Sequence, residues 1–206
     1  VQVYTSISLA LFLCYGQGQF MNKFYSAGAP EERFYMELAL EEAAIAAEKG
    51  EIPVGAVVVC QGAVIARAHN RREELQSPAA HAEMLALGDC SVALGSWRLH
   101  ECTLYVTLEP CIMCVGAILQ ARISRLVFGC ADPKGGAVES LYRLCEDPRL
   151  NHQVAVTRGV LESECAGILS GFFARLRKKK LSAFSDQQSA KKIEIGQVGL
   201  LLKADS

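Results

Sequence analysis

The chain has 206 residues, of which 51% are hydrophobic and 21% charged, and its formal net charge is -1. This length and composition fit one globular domain with a sizeable core and exclude a disordered chain. A charge this close to zero provides no overall attraction to a polyanion, so contact with nucleic acid requires a local basic patch.

Nine cysteines are scattered along the chain. Secreted disulfide frameworks are usually short, dense in cysteine and even in number, so this pattern favours a reduced, cytoplasmic protein. Two of the cysteines are assigned to a metal site below, and the remaining seven are expected mostly to fill the core.

The two ends of the chain differ from its centre. The apolar run at residues 7–14 is too short to span a bilayer, and residues 1–6 lack the Lys or Arg of a signal peptide. We predict that residues 1–30 are an N-terminal extension, more plausibly a dispensable leader than a targeting segment. Residues 31–180 then form the folded domain and residues 181–206 a C-terminal tail, without attachment to a membrane.

In chain order, the first predicted element is a helix from Pro30 to the residue before Gly50. Proline and acidic residues stand in its first turn and glycine follows its last residue, which are the usual start and stop signals of a helix. The apolar residues Phe34, Leu38 and Ile45 recur within it at near-helical spacing.

A β-hairpin follows, with strands at 54–60 and 63–69 and a turn at Gln61-Gly62. A loop over residues 70–80 leads to a helix that begins at His81. In the second half, we predict a strand at 104–107, a helix that begins near Cys111, strands at 125–129 and 154–157, and a last helix at 163–177. Alternating strands and helices predict an α/β fold in which helices cover a sheet.

The motif that points to chemistry pairs His81-Ala82-Glu83 with Pro110-Cys111-Ile112-Met113-Cys114. One imidazole and two thiolates can hold zinc with three protein ligands, which leaves the fourth position open as in hydrolytic sites. Cys111 and Cys114 fall on one side of a helix whose N-terminus favours thiolates. This H-x-E…P-C-x-x-C pattern is the signature of zinc nucleobase deaminases.

Glu83 lies two residues from the histidine, where its carboxylate can move the protons of a water without occupying the metal. The alternative is a structural zinc site with Glu83 as a solvated residue, but structural sites are closed by four ligands. His69, His100 and His152 have no partner at ligand spacing, and we assign them no catalytic role.

The residues also resemble one family, the tRNA-specific adenosine deaminases of the TadA type, which make inosine at the wobble position of the anticodon. The resemblance runs from about Phe34 to Arg177. It is carried by residues 52–57 (IPVGAV), 70–71 (NR), 80–83 (AHAE), 103–114 (TLYVTLEPCIMC), 127–129 (VFG), 132–136 (DPKGG) and 151–173.

This resemblance implies a three-layer α/β/α cytidine-deaminase-like fold with a mixed, roughly five-stranded sheet, and a homodimer. It implies one zinc ion per subunit held by His81, Cys111 and Cys114, with Glu83 as the proton shuttle. It also implies that Asn70 lines the nucleoside pocket, with Val54 and Pro110 on the pocket walls. Glu139 departs from the family, in which a small residue is usual, and this change is expected to alter a loop near the pocket.

A basic cluster closes the last predicted helix and consists of Arg175, Arg177, Lys178, Lys179 and Lys180. Such a cluster can bind phosphates of a tRNA anticodon stem-loop, with affinity that falls as salt is added. Solvated cations at a helix C-terminus are the equally good alternative, because the helix dipole favours them there. Phe172 and Phe173 could stack on splayed bases, although helical phasing predicts that one of them is in the core.

Three hypotheses remain open at this stage. The first is a deaminase that converts adenosine to inosine in tRNA, and the second is a deaminase of a free base or nucleoside of the guanine or cytosine type. The zinc motif does not separate these two, but the length of the family agreement and the basic helix favour the first. The third is a non-catalytic, zinc-bearing partner that binds tRNA, against which the presence of Glu83 argues.

Overall fold

The computed structural model describes residues 29–180 and 182. The predictions about the leader and the tail therefore lie almost wholly outside the described residues. The chain divides into two compact units, Val1–Ile168 and Leu169–Ser206, and the described sheet belongs to the first.

The described elements follow the predicted order. They are α1 (Pro30–Glu48), β1 (Gly55–Cys60), β2 (Ala63–His69), α2 (Arg72–Leu75), α3 (Ala82–Leu94), β3 (Cys102–Leu108), α4 (Ile112–Gln120), β4 (Arg125–Cys130), a 3-10 turn (Leu144–Glu146) and β5 (Ala155–Arg158). Residues 162–180 form the last helix, α5.

The loop expected over residues 70–80 contains the short helix α2, which the sequence pattern did not indicate. The backbone N–H of Glu74 donates to Oε1 of Glu51 at 2.7 Å, and Glu51 is only 2% exposed. A buried acceptor 23 residues away in sequence supports this turn, so a local pattern gave no sign of it.

The five strands form one mixed sheet in the order β2-β1-β3-β4-β5. The pairs β2–β1 and β1–β3 are antiparallel, whereas β3–β4 and β4–β5 are parallel. The parallel strands run in the direction that places the C-terminal end of β3 beside that of β4, and this end of the sheet leads into the site described below.

Helices cover both faces of the sheet. Alternate residues of β1 and β3, such as Val58 and Leu104, share one apolar core with Ala86 of α3 and Ile118 of α4. On the opposite face, the ring of Tyr105 lies 5.1 Å from the ring of Tyr35 in α1, measured between centroids. The fold is thus the predicted three-layer α/β/α arrangement with a mixed five-stranded sheet.

Helix α1 approaches the sheet very closely at Gly55. A Cβ atom at Gly55 would lie 1.9 Å from the carbonyl oxygen of Ala39 and 2.6 Å from the backbone nitrogen of Ala43. The buried face of α1 accordingly consists mainly of small residues, and Phe34 and Ile45 are 53% and 38% exposed. The predicted helix is confirmed, but Phe34 and Ile45, two of the three apolar residues that indicated it, are exposed.

The last helix was also predicted. In α5, Cys165 and Phe172 are buried while Phe173 is 40% exposed, in agreement with the expectation that one of the two phenylalanines belongs to a core. Within residues 29–180 and 182, none of the helices combines the length and the apolar character that crossing a membrane requires.

Candidate metal and catalytic site

Two helix N-termini place the three predicted ligands together. His81 is the N-cap residue of α3 and Cys111 is the N-cap residue of α4, both with extended backbone, and neither side chain caps its own helix. Both side chains are therefore available for other contacts. Cys114 lies in the first turn of α4, and its side chain is buried.

The distances between the donor atoms fit zinc. Sγ of Cys111 lies 3.7 Å from Sγ of Cys114 and 3.7 Å from Nδ1 of His81, and Sγ of Cys114 lies 3.5 Å from that nitrogen. Tetrahedral zinc with ordinary bond lengths separates two sulfur ligands by about 3.8 Å, and a sulfur from a nitrogen by about 3.6 Å. The three side chains could thus hold zinc without rearrangement.

One of the three predicted ligands already favours the form that binds a cation. Hydrogen bonds from Cys114 and His81 lower the pKa of the Cys111 thiol to about 3, and the same contact with Cys111 raises the pKa of His81. The shared hydrogen bond with Cys111 and burial raise the pKa of Cys114. One thiolate is therefore already favoured at the N-terminus of α4, where the helix dipole also stabilises negative charge.

Glu83 stands in the first turn of α3 and is only 4% exposed. Burial raises the pKa of its carboxyl. A raised pKa brings the protonated and ionised forms of a carboxyl closer in free energy, which suits it to both accept and return a proton as a general acid–base group does.

A cavity of about 160 Å³ opens beside these residues. An enclosed cavity of about 150 Å³ in another protein binds a benzene-sized ligand, so a volume of this order is far too small for a whole nucleotide. Its lining includes His81, Glu83 and Cys111, together with the predicted pocket residues Val54 and Asn70. Pro110 is buried and is not among the lining residues, although its neighbours Glu109 and Cys111 are.

Asn70 is held in place by Glu51, a residue that the sequence analysis did not select. Nδ2 of Asn70 donates to Oε2 of Glu51 at 3.1 Å, and both side chains are buried. A carboxylate only accepts hydrogen bonds, so this contact fixes which end of the Asn70 amide faces Glu51. The position of Glu51 directly before the Ile52-Pro53-Val54 segment was the one available signal.

Glu109 and Asp132 also line the cavity without having been selected. Glu109 immediately precedes Pro110 and Cys111, and Asp132 follows the end of β4 by two residues. Glu139, the departure from the family pattern, donates its backbone N–H to Glu109, while its own carboxylate accepts a hydrogen bond from Arg158 at 2.8 Å. The unusual side chain thus points to an exposed arginine at the end of β5.

The remaining predicted residues have simpler surroundings. His69 contacts Glu42 at 2.9 Å, and His152 contacts the carbonyl oxygen of Ile123 at 2.7 Å, so both have partners outside the cavity. The basic cluster of Arg175, Arg177, Lys178, Lys179 and Lys180 is exposed on α5.

Comparison with known proteins defines the class first. Residues 31–177 match the family model described as MafB19-like deaminase. A solved structure from a study of A-to-I editing by tRNA:A34 deaminases at the wobble position of transfer RNA matches with a TM-score of 0.64 and 52% identity, covering 66% of this chain and 99% of that one. The guanine deaminase from Nitrosomonas europaea matches with a TM-score of 0.55 and 27% identity, covering 77% and 94%.

Curated relatives narrow the class. The tRNA-specific adenosine deaminase of Bacillus subtilis is 54% identical over 153 residues, which is 74% of this chain and 95% of that protein. The enzyme of the same name from Aquifex aeolicus is 46% identical over 146 residues, or 71% and 96% of the two chains. The chain belongs to the tRNA-specific adenosine deaminase family.

Proposed function

We propose that this protein hydrolytically deaminates adenosine to inosine at the wobble position of a tRNA anticodon. The observation that carries the proposal is the His81–Cys111–Cys114 triad, two of whose members, His81 and Cys111, line one cavity together with buried Glu83. The relatives named for this activity are matched over nearly their whole length, and their name is the basis for proposing tRNA as the substrate.

The metal in this proposal is zinc, one ion per subunit, held by His81, Cys111 and Cys114. Zinc with an open ligand position supplies Lewis-acid activation of water. The fit between donor distances and tetrahedral zinc supports this assignment.

Glu83 carries the protons of the reaction. Its carboxylate takes one proton from the attacking water and passes it to the purine ring nitrogen, and then takes the second proton from the hydroxyl added at C6 and passes it to the departing amino group. Water adds at C6 and ammonia leaves, so adenosine and water yield inosine and ammonia. Asn70 and Val54 orient the base, and buried Pro110 joins the lining residues Glu109 and Cys111.

The substrate in this proposal is a loop nucleotide, because the target base must leave its stack to reach a cavity of this size. The basic cluster of α5 would contribute phosphate contacts. Residues 31–180 serve as the deaminase domain. The free thiols of all eight cysteines in the described part of the chain suit a reducing cytoplasm.

The protein is proposed to act as a homodimer. This proposal comes from the resemblance to the family, and Ile112, Leu141 and Tyr142, each more than half exposed, are apolar side chains that an interface would bury. Measurement of the molar mass in solution tests this part of the proposal.

Inosine formation tests the activity directly. The substrate is an anticodon stem-loop RNA with adenosine at the wobble position, and a matched RNA carries that adenosine one nucleotide further along the loop. Free adenosine, guanine and cytidine are assayed in parallel. Inosine at the wobble position alone supports the proposal. Turnover of a free compound alone overturns the RNA substrate, and absence of any turnover by the zinc-loaded protein overturns the enzymatic function.

A further inference from the structure

The carboxylate of Glu109 accepts five hydrogen bonds from one segment of the chain. Oε1 accepts from the backbone N–H groups of Val138, Glu139 and Ser140 at 3.1, 2.8 and 2.9 Å. Oε2 accepts from the backbone N–H of Asp132 at 3.0 Å and from the hydroxyl of Ser140. Glu109 is only 2% exposed, so these contacts form away from bulk water.

The segment at residues 132–140, which we call the Glu109 loop, also contacts the ligand-bearing segment through its backbone. Cys111 and Gly136 form an isolated antiparallel bridge, and the N–H of Ala137 donates to the carbonyl of Pro110 at 2.9 Å. Asp132, at the start of the loop, lines the cavity with Glu109 and Cys111. The loop is therefore joined through its backbone to the segment that carries Cys111, and it contributes Asp132 to the cavity wall.

Gly136 leaves the space that the carboxylate occupies. A Cβ atom at Gly136 would lie 2.2–2.5 Å from the carboxyl atoms of Glu109, which is well inside van der Waals contact. Because the carboxylate is held from several sides, a methyl group there would have to displace it. The loop sequence is thus matched to the side chain that orders it.

We infer that Glu109 is a positioning residue for the deamination reaction, which fixes the Glu109 loop as a wall of the catalytic cavity. The inference rests on the proposed function, and it adds a residue whose side chain acts through the loop and not on the base. A carboxylate is suited to the task because it accepts hydrogen bonds only, and five donors converge on it. In a glutamine at this position, the NH2 group would face N–H or O–H donors of the loop, and a buried donor would be left without an acceptor.

The first test compares Glu109→Gln with Glu32→Gln. Glu32 is also fully buried and paired, with Arg125 at 2.6 Å, but it lies on α1 and does not line the cavity. We expect Glu109→Gln to bind one zinc ion and to lose about tenfold to a hundredfold in kcat/KM, mainly through KM, because a misplaced wall weakens substrate positioning. Glu32→Gln is expected to keep the KM of the unaltered protein even where its melting temperature falls. An equal rise of KM in both variants, or no rise in Glu109→Gln, overturns the inference.

Hydrogen–deuterium exchange separates this inference from the proposed function, since it needs no activity. The amides of Asp132, Val138, Glu139 and Ser140 should exchange faster in Glu109→Gln, whereas exchange in α1 should not change. Unchanged protection of these four amides contradicts the inference whatever the protein deaminates. Faster exchange in a protein that makes no inosine would support the ordering role and overturn only the proposed function.

A double-mutant cycle provides the second test. Gly136→Ala should raise KM in the native background, because the added methyl group displaces the carboxylate. In a Glu109→Ala background the same substitution has room, so it should add no further loss. Contacting residues of this kind give strongly non-additive effects. Independent, additive losses from Glu109→Ala and Gly136→Ala would show that the glycine does not act through Glu109.

Discussion

Two buried glutamates flank the candidate metal site, and their surroundings differ. Glu83 follows the ligand His81 by two residues and Glu109 precedes the ligand Cys111 by two, and both are less than 5% exposed. Burial raises the pKa of Glu83. Burial also acts to raise the pKa of Glu109, but hydrogen bonds from Ser140, Glu139 and Asp132 outweigh it and lower that pKa.

The difference separates a chemical role from a positional one. Environments that push the pKa values of two carboxyls apart are how one site assigns them different tasks. Glu83, with a raised pKa, is suited to exchange protons, whereas Glu109 is held as an anion by its donors and is suited to order a loop. Substitutions that remove the charge at the two positions should therefore change different kinetic parameters: kcat for Glu83 and KM for Glu109.

The largest effect is expected at Glu83. Glu83→Gln removes the proposed proton carrier but keeps the size of the side chain, so kcat should fall about a hundred- to ten-thousand-fold, the usual contribution of general acid–base catalysis. Zinc content and melting temperature should stay near those of the unaltered protein, because His81, Cys111 and Cys114 remain. Single-turnover inosine formation, with metal content measured on the same sample, checks both points.

Glu109→Gln serves as the matched comparison for this variant. It makes the same chemical change at a similarly buried position two residues from a ligand. A fully active Glu83→Gln would contradict the separation of roles. So would two variants in which kcat falls and KM rises by the same factors.

The sequence predicted one of these glutamates and not the other, for a physical reason. The ligands and Glu83 fall within short motifs at the N-termini of two helices, so their identity is apparent from local spacing. The partners of Glu109 lie 23 to 31 residues further along the chain, and most of them are backbone N–H groups that no residue type reveals. Only the fold brings that loop back to the carboxylate.

The fold shows a similar division. The alternation of strands and helices was enough to predict the covered sheet, and the strand positions were correct to within about two residues. The buried face of α1 was not evident from Phe34 and Ile45, because the close contact at Gly55 favours alanines on that face. This contact depends on a glycine in a strand, so the periodicity of the helix alone could not reveal which helix face is buried.

A smaller effect is expected at Glu51, the third buried carboxylate of the site. Glu51→Gln lets residue 51 both donate and accept, so the amide of Asn70 is no longer held in one orientation. We expect KM to rise about fivefold, corresponding to the roughly 1 kcal/mol net contribution of a hydrogen bond. Glu74→Gln is the control, because it neutralises a nearby exposed carboxylate but retains the backbone donor to Glu51. Equal KM values for the two variants would contradict a positioning role for Glu51.

The smallest and most salt-dependent effect is expected from the basic cluster, which unlike the three glutamates is exposed. If Lys178 and Arg177 bind phosphates, replacing both with Gln should flatten the dependence of log affinity on log salt by about 0.7 to 0.9 for each phosphate that is no longer neutralised. The control replaces Arg98 and Arg149 with Gln, which removes the same charge from other exposed positions. RNA affinity is measured at several salt concentrations, and kcat at saturating RNA should be unchanged in both variants. Identical salt slopes would return the cluster to the role of solvated charges at the end of a helix, where the dipole alone favours them.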